Sequence, residues 1–182
     1  MKIAHISDIH VRNYKYHHEY REVFQQLFDK LKELKPDIIV NTGDTAHTKS
    51  ILSPEYFNLT SWLFTGLAEI APLHMILGNH DCNVKNSSRL DAITPITEAL
   101  EDPNIHFHKN TKEVDLGENI VLNVLSILDQ DKWSAPSDPN KTNLALYHGA
   151  VAGSKTDTGW IMEHGEIDLK FLENFDYGLL GD

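Results

Sequence analysis

The chain is poor in several residue types, and each shortage excludes something. It has one cysteine, Cys82, so no internal disulfide can form, and a reducing compartment suits it. No apolar run approaches the roughly 18 residues of a membrane span. The N-terminus, Met1-Lys2-Ile3-Ala4-His5, reads as the start of a strand and lacks the pattern of a secretory signal. A cytoplasmic location is therefore expected. No Ser or Cys nucleophile elbow is present, which leaves covalent catalysis without a candidate. Lys and Arg number 16 against 27 Asp and Glu, a formal net charge of −11. Such a balance argues against an extensive nucleic-acid-binding face, since phosphate binding needs basic residues.

What is present suits an ordinary globular domain. A chain of 182 residues can bury a real core, and 41% hydrophobic with 24% charged residues is typical of that class. No internal repeat, low-complexity segment or linker divides it, so residues 1–182 are expected to form one domain. Cys82 reads as an incidental small residue next to Asp81. Histidine is plentiful, at 11 residues, so most histidines need an explanation other than chemistry.

The organising stretch is Gly78-Asn79-His80-Asp81. It follows an apolar run over 73–77 that reads as a buried strand. Glycine lets the chain turn, displaying Asn, His and Asp just past a strand end, where α/β sheets bind ligands. The same design recurs. Asp8-Ile9-His10 follows a strand over 2–7, Gly43-Asp44 with His47 follows one over 37–42, and His148-Gly149 follows one over 143–147. Asp8 and His10 alternate with an apolar residue, so in extended geometry both face one side.

Between these strand ends the periodicity alternates. Residues 19–34 place Tyr20, Val23, Phe24, Leu27, Leu31 and Leu34 at helical spacing, with Pro36 as the stop. Strand, helix and strand within about 40 residues predict a right-handed parallel crossover. Ser53-Pro54 reads as an N-cap and first helical position, with a helix running to about Ile70. Residues 90–100 have helical character interrupted by Pro95. A strand over 104–108 would turn His106 and His108 outward as surface residues. Residues 114–116 and 120–125 predict an antiparallel hairpin around Gly117-Glu118. Residues 153–165, rich in Gly, Thr and Ser, suit a flap beside the site, followed by a short helix over 168–175 and a last strand over 177–180. Lys49 and Ser50 are candidates for phosphate contact, although a solvated loop is the safer reading.

Asp8, His10, Asp44, Asn79 and His148 supply three oxygen-type and two imidazole ligands. This mixture fits Mn²⁺, Fe or Zn²⁺ better than Ca²⁺. Five ligands exceed what one catalytic ion takes while keeping an open position, so two ions sharing a carboxylate are more economical. Such centres hold ions about 3.5–4 Å apart for in-line attack on phosphorus.

In order and spacing, Asp8-x-His10, Gly43-Asp44, Gly78-Asn79-His80-Asp81 and His148-Gly149 resemble the motifs of the calcineurin-like metallophosphoesterases. The resemblance runs through the whole chain. It implies an α/β four-layer αββα sandwich, two facing sheets flanked by helices. It also implies that Asp8 and His10 bind one metal, Asp44 bridges two, and Asn79 and His148 bind the second. His80 would act on the transition state or the leaving oxygen, held by Asp81. Within that family, the start Met-Lys-Ile-Ala-His-Ile-Ser-Asp-Ile-His, His47 in Gly-Asp-x-x-His, and His148-Gly149-Ala150-Val151 are similar to SbcD-type DNA repair nucleases and phage recombination endonuclease subunits. That subgroup implies a DNA substrate, Mn²⁺, an SbcC-like ABC ATPase partner, a possible homodimer in a full-length form, and a His47 near His80 that tunes nuclease activity. The family completes its site with Gly-His-x-His. Here Gly181-Asp182 stands where that motif would begin, so the chain reads as truncated before it, with Asp182 as a substitute carboxylate ligand. The alternatives are a phosphoesterase acting on cyclic nucleotides, phosphoproteins or small phosphoesters, favoured by the acidic charge, and a non-catalytic interaction module with the same fold.

Overall fold

The computed structural model describes every residue except 156 and 157. Strand β1 (Ile3–Ile6) leads into helix α1 (His17–Leu34), which returns the chain to β2 (Ile38–Asn41). β1 and β2 pair in parallel, Ile3 opposite Ile38, as the crossover requires. Helix α2 (Pro54–Ala68) then precedes β3 (Leu73–Met75). It is capped as its sequence predicts, with Ser53 Oγ accepting from Tyr56 N at 3.1 Å. Removing such a cap costs about 1 kcal/mol. Helix α3 (Thr94–Leu100) and β4 (Ile105–Phe107) follow, completing a parallel sheet ordered β1-β2-β3-β4.

The second sheet begins with the hairpin β5 (Lys112–Gly117) and β6 (Ile120–Leu125). Its turn residues Glu118 and Asn119 both take positive φ, 50° and 65°, as a tight hairpin turn needs. β7 (Thr142–His148) pairs in parallel with β6. A short parallel pair, β8 (Val151–Ala152) with β9 (Ile167–Asp168), closes the excursion between them, and α4 (Leu169–Leu172) leads to β10 (Tyr177–Gly181). β10 pairs in parallel with β7, so the order is β10-β7-β6-β5.

The two sheets face each other, and the side-chain alternation of β2 shows how. Ile38 and Val40 pack with Leu122, Val124, Leu144 and Leu146 between the sheets. Ile39 points the other way, into a core with Phe24, Phe28, Leu59, Leu63 and Leu67 of α1 and α2. On the outer face of the second sheet Trp133 stands edge-on to Tyr147, with ring centroids 5.4 Å apart. The layers are those of the αββα sandwich, although α4, at four residues, makes the outermost layer thin.

Several local expectations need correction. In α1 the core face is Phe24, Phe28 and Leu31, whereas Val23 and Leu34 are 58% and 44% exposed. An apolar residue at helical spacing marks a face only to within a turn's width, and Phe28 lies closer to its centre. Pro95 does not interrupt a helix. α3 starts at Thr94, where Asp91 accepts from the N–H groups of Ile93 and Thr94 at 2.9 and 2.6 Å and proline fits the first turn. His108 is not a surface residue. It is buried, its Nε2 lies 3.0 Å from His74 Nδ1, and His106 is half-buried and stacked 4.6 Å from His74. β4 pairs with β3, and the hairpin sheet covers this face, so alternation along β4 turns these rings toward the second sheet. The proposed flap is a paired excursion: Gly153 N and Met162 N donate to Met162 O and Ser154 O, while residues 156 and 157 lie outside the described residues. Cys82 is a core residue with its thiol pushed up to about 12, chiefly by burial.

Candidate metal centre

The first two strands do not separate where they end. Asp8 N donates to Gly43 O (3.1 Å), His10 N to Asp44 O (2.9 Å) and Val11 N to Thr45 O (2.8 Å). The two loops thus run zipped together past the sheet edge, which brings residues 8–10 beside residue 44. Asp8, His10 and Asp44 all adopt positive φ, 57°, 50° and 51°. L-residues other than glycine seldom do so, and such strain concentrates at functional sites.

Two glycines let the third loop close on the second. A Cβ on Gly43, whose φ is 99°, would lie 2.5 Å from Gly78 N and 2.9 Å from His148 Nδ1. A Cβ on Gly78 would collide with the backbone and carboxylate of Asp44. The loops are locked by Asp81, which accepts from Ala46 N (2.7 Å) and Gly78 N (2.9 Å). Asp81 is wholly buried, and burial raises its carboxyl to about 6 despite these donors. It therefore does not hold His80, as the family resemblance implies. The carbonyl of His47 does, at 2.9 Å from His80 Nδ1.

Asp44 is the hub. Its Oδ1 accepts from His80 N at 2.8 Å and lies 3.3 Å from His148 Nε2, while its Oδ2 lies 3.6 Å from His10 Nε2. Burial works against its charge, but hydrogen bonding and the nearby His148 and His80 hold the carboxyl below its usual value. For His148 burial again opposes charge, but Asp44, the Thr42 carbonyl and Asp8 raise it above 6.5.

The chemistry of the donors indicates what they could hold. Thr42 O can only accept, so His148 Nδ1, at 2.8 Å, carries the hydrogen. Nε2 then faces the carboxylate at 3.3 Å but makes no hydrogen bond to it. Asp8 Oδ1 and His10 Nδ1 are also buried without a partner. Orphaned buried groups of this kind are costly unless something else binds them. Among the described residues, two triads have ligand atoms mutually within 4.8 Å: Asp8, Asp44 and His148, and His10, Asp44 and His80. Both share Asp44, and the set fits a pair of divalent cations.

The remaining candidates sit around this hub. Asn79 is exposed and lines a cavity of about 100 Å³ with His148, Gln130, Glu166 and Asp182. Asp182 also borders a second cavity with Asp8. Gly149 N donates to Gly181 O at 2.7 Å, which places the chain's last residues beside His148. The rings of His10, His47 and His80 form a cluster with centroids 4.9–6.1 Å apart. Sequence reading missed the Thr42 carbonyl that fixes the His148 tautomer, because a backbone acceptor leaves no signature in residue type. It singled out Lys49 but missed its anchor, the carbonyl of Asn79, to which Nζ donates at 2.5 Å.

These loops gather two candidate sets of metal ligands at one edge of an αββα sandwich. The family model for calcineurin-like phosphoesterases matches residues 1–179, and the chain belongs to that family, whose members bind two divalent metals. It is also similar to an uncharacterized protein, R555, of Acanthamoeba polyphaga mimivirus, 39% identical over 194 residues. That alignment takes in 99% of this chain but only 14% of the viral protein. No helix of the described residues is long and apolar enough to cross a membrane.

Proposed function

We propose that this chain is the catalytic domain of a phosphodiesterase of the SbcD nuclease type, acting on DNA with Mn²⁺. The observation that carries this reading is His80, pinned through Nδ1 to the His47 carbonyl beside Asp44, the carboxylate common to both triads, in one of which the His80 ring is itself counted. A diester with an alkoxide leaving group needs a proton delivered to that oxygen, and a fixed imidazole suits the task. With Nδ1 donating to the carbonyl, Nε2 is the nitrogen free to give a proton to the leaving oxygen.

In this reading Asp8, His10 and Asp44 hold one ion, and Asp44, Asn79 and His148 the other, with Asp182 as an additional carboxylate. The ions, when bound, supply Lewis acidity and an ionised water at neutral pH. Asp44 is kept anionic by its neighbours and so keeps its place between the two ligand sets. Asp81 does not touch the reacting atoms; it fixes the Gly78–Asp81 loop against the 43–46 loop and so positions Asn79 and His80.

The net charge of −11 favours a second reading, a phosphoesterase for smaller substrates in the same family. The nuclease reading accommodates that charge if an SbcC-like ATPase partner supplies most phosphate contacts. Duplex binding by residues 1–182 alone is then micromolar or weaker at physiological salt, with a shallow salt slope. The deciding experiment compares turnover of single-stranded DNA, bis-p-nitrophenyl phosphate and p-nitrophenyl phosphate by the Mn²⁺-loaded protein. Cleavage of DNA and the diester above the monoester is expected. Turnover of the monoester alone would favour the second reading and overturn the first.

A further inference from the structure

The surroundings of the Asp44 hub are electrically lopsided. Two cavities are bordered by Asp182, with Glu166 in one and Asp8 in the other. Adjoining the first of these at Asn79 and Val84, a groove of about 300 Å³ is lined by Lys49, Asn79, His80, Asn83, Val84 and Lys85. It holds two cations and no carboxylate, in a chain with only 16 Lys and Arg.

The two lysines are placed there by local structure. Lys49 is anchored to the carbonyl of Asn79, so its ammonium is held against the Gly78–Asp81 loop. Lys85 is set by a turn in which Asn83 Oδ1 accepts from Lys85 N at 3.2 Å and Asn83 O accepts from Asn86 N at 3.0 Å. Neither ammonium has a carboxylate within ion-pair distance among the described residues. An ammonium uses three donors, and Lys49 spends one on Asn79. The groove therefore presents unneutralised positive charge and free donors within reach of His80.

We propose that the Lys49–Lys85 groove is a subsite for a second, non-reacting phosphate of the substrate. The reacting phosphate would lie at the Asp44 hub, and the neighbouring phosphate of a nucleotide chain in this groove. The two cavities bordered by Asp182 are lined by no lysine or arginine, so the groove is the place beside the hub where that phosphate finds positive charge. This rests on the phosphodiesterase reading and deepens it: the preferred substrate is a strand with at least two adjacent phosphates.

The test uses the Mn²⁺-loaded protein and three thymidine dinucleotides: dTpdT, the same with a 5′-phosphate, and the same with a 3′-phosphate. All share one scissile diester. One of the two terminally phosphorylated forms should show a KM about tenfold below that of dTpdT, in the range of a charge-assisted contact at an open site. The preference should shrink as KCl rises, because the groove is open to solvent. In Lys49→Gln/Lys85→Gln the ratio of KM values should fall to about one; glutamine retains a donor for the Asn79 carbonyl while removing the charge. Equal KM values for all three in the unaltered protein, or an unchanged ratio in the double variant, would overturn the subsite alone. Absence of turnover on all three and on bis-p-nitrophenyl phosphate would overturn the phosphodiesterase reading and the subsite with it.

Discussion

Lowering the pH from 7 to 5 should destabilise this protein chiefly through a pair of histidines that are not among the candidate metal ligands. His74 and His108 are buried between the sheets with ring nitrogens 3.0 Å apart, and His108 Nδ1 has no partner. Burial, with Lys112 and His106 nearby, lowers His74 to about 4 and His108 to about 3. Folding thus prefers both rings neutral, while the unfolded chain takes up protons near 6.5. The stability contributed by the neutral rings is present above pH 6.5 and is lost as pH falls toward 4. At pH 5 each ring costs about 2 kcal/mol by linkage, so about 4 kcal/mol for the pair is an upper figure, since the two share one hydrogen bond. Asp81 works in the opposite direction. Its carboxyl is raised to about 6, so between pH 6 and 4 the folded form holds its proton more tightly than the unfolded one. The two effects are separated by comparing the unaltered protein with His74→Leu/His108→Leu in urea unfolding at pH 7 and pH 5. The variant's absolute stability is immaterial; only the change with pH is read. The unaltered protein should lose up to about 4 kcal/mol more than the variant. Parallel losses in both would refute the claim that burial of these rings sets the acid sensitivity.

Other consequences follow from the loops. Gly78→Ala places a methyl group on Asp44, so metal affinity should drop at least tenfold and unfolding should become easier by about 1–3 kcal/mol, as overpacking does; wild-type calorimetric binding and denaturation curves would contradict this. His80→Ala should lower turnover of the diester about 10²–10⁴-fold with metal content near wild type, whereas His148→Ala should lose metal. Because the His80 ring also falls within ligand distance of His10 and Asp44, equal metal loss in both variants would make His80 a ligand instead of an acid.

The sequence was most legible where local chemistry decides conformation. Ser53-Pro54 capped a helix, Gly117–Asn119 turned a hairpin, and the parallel β1-α1-β2 crossover followed from periodicity. The strand-end pattern brought Asp8, His10, Asp44 and His148 together because each loop leaves the same edge of a sheet. What stayed hidden depended on partners distant in sequence. The histidines of β4 read as outward because alternation gives two faces but does not say which one a second sheet will cover. Asp81 suggested an orienting carboxylate for its neighbour, but its acceptors were taken by backbone donors from residues 46 and 78. For Lys49 a solvated loop read as safer than a phosphate contact, because its anchor is a carbonyl 30 positions away.

The central claim is that Asp44 is shared by two bound cations. It is tested most directly by anomalous diffraction from crystals soaked in saturating Mn²⁺, with calorimetry on the same protein. Two peaks flanking the Asp44 carboxylate are expected, with the ion nearer Asn79 and His148 the weaker because the neutral Asn79 amide is a poorer ligand for a cation than the Asp8 carboxylate. In Asp44→Asn both sites should weaken together. No divalent metal at Asp8, His10 and Asp44 under saturating Mn²⁺ would contradict the account.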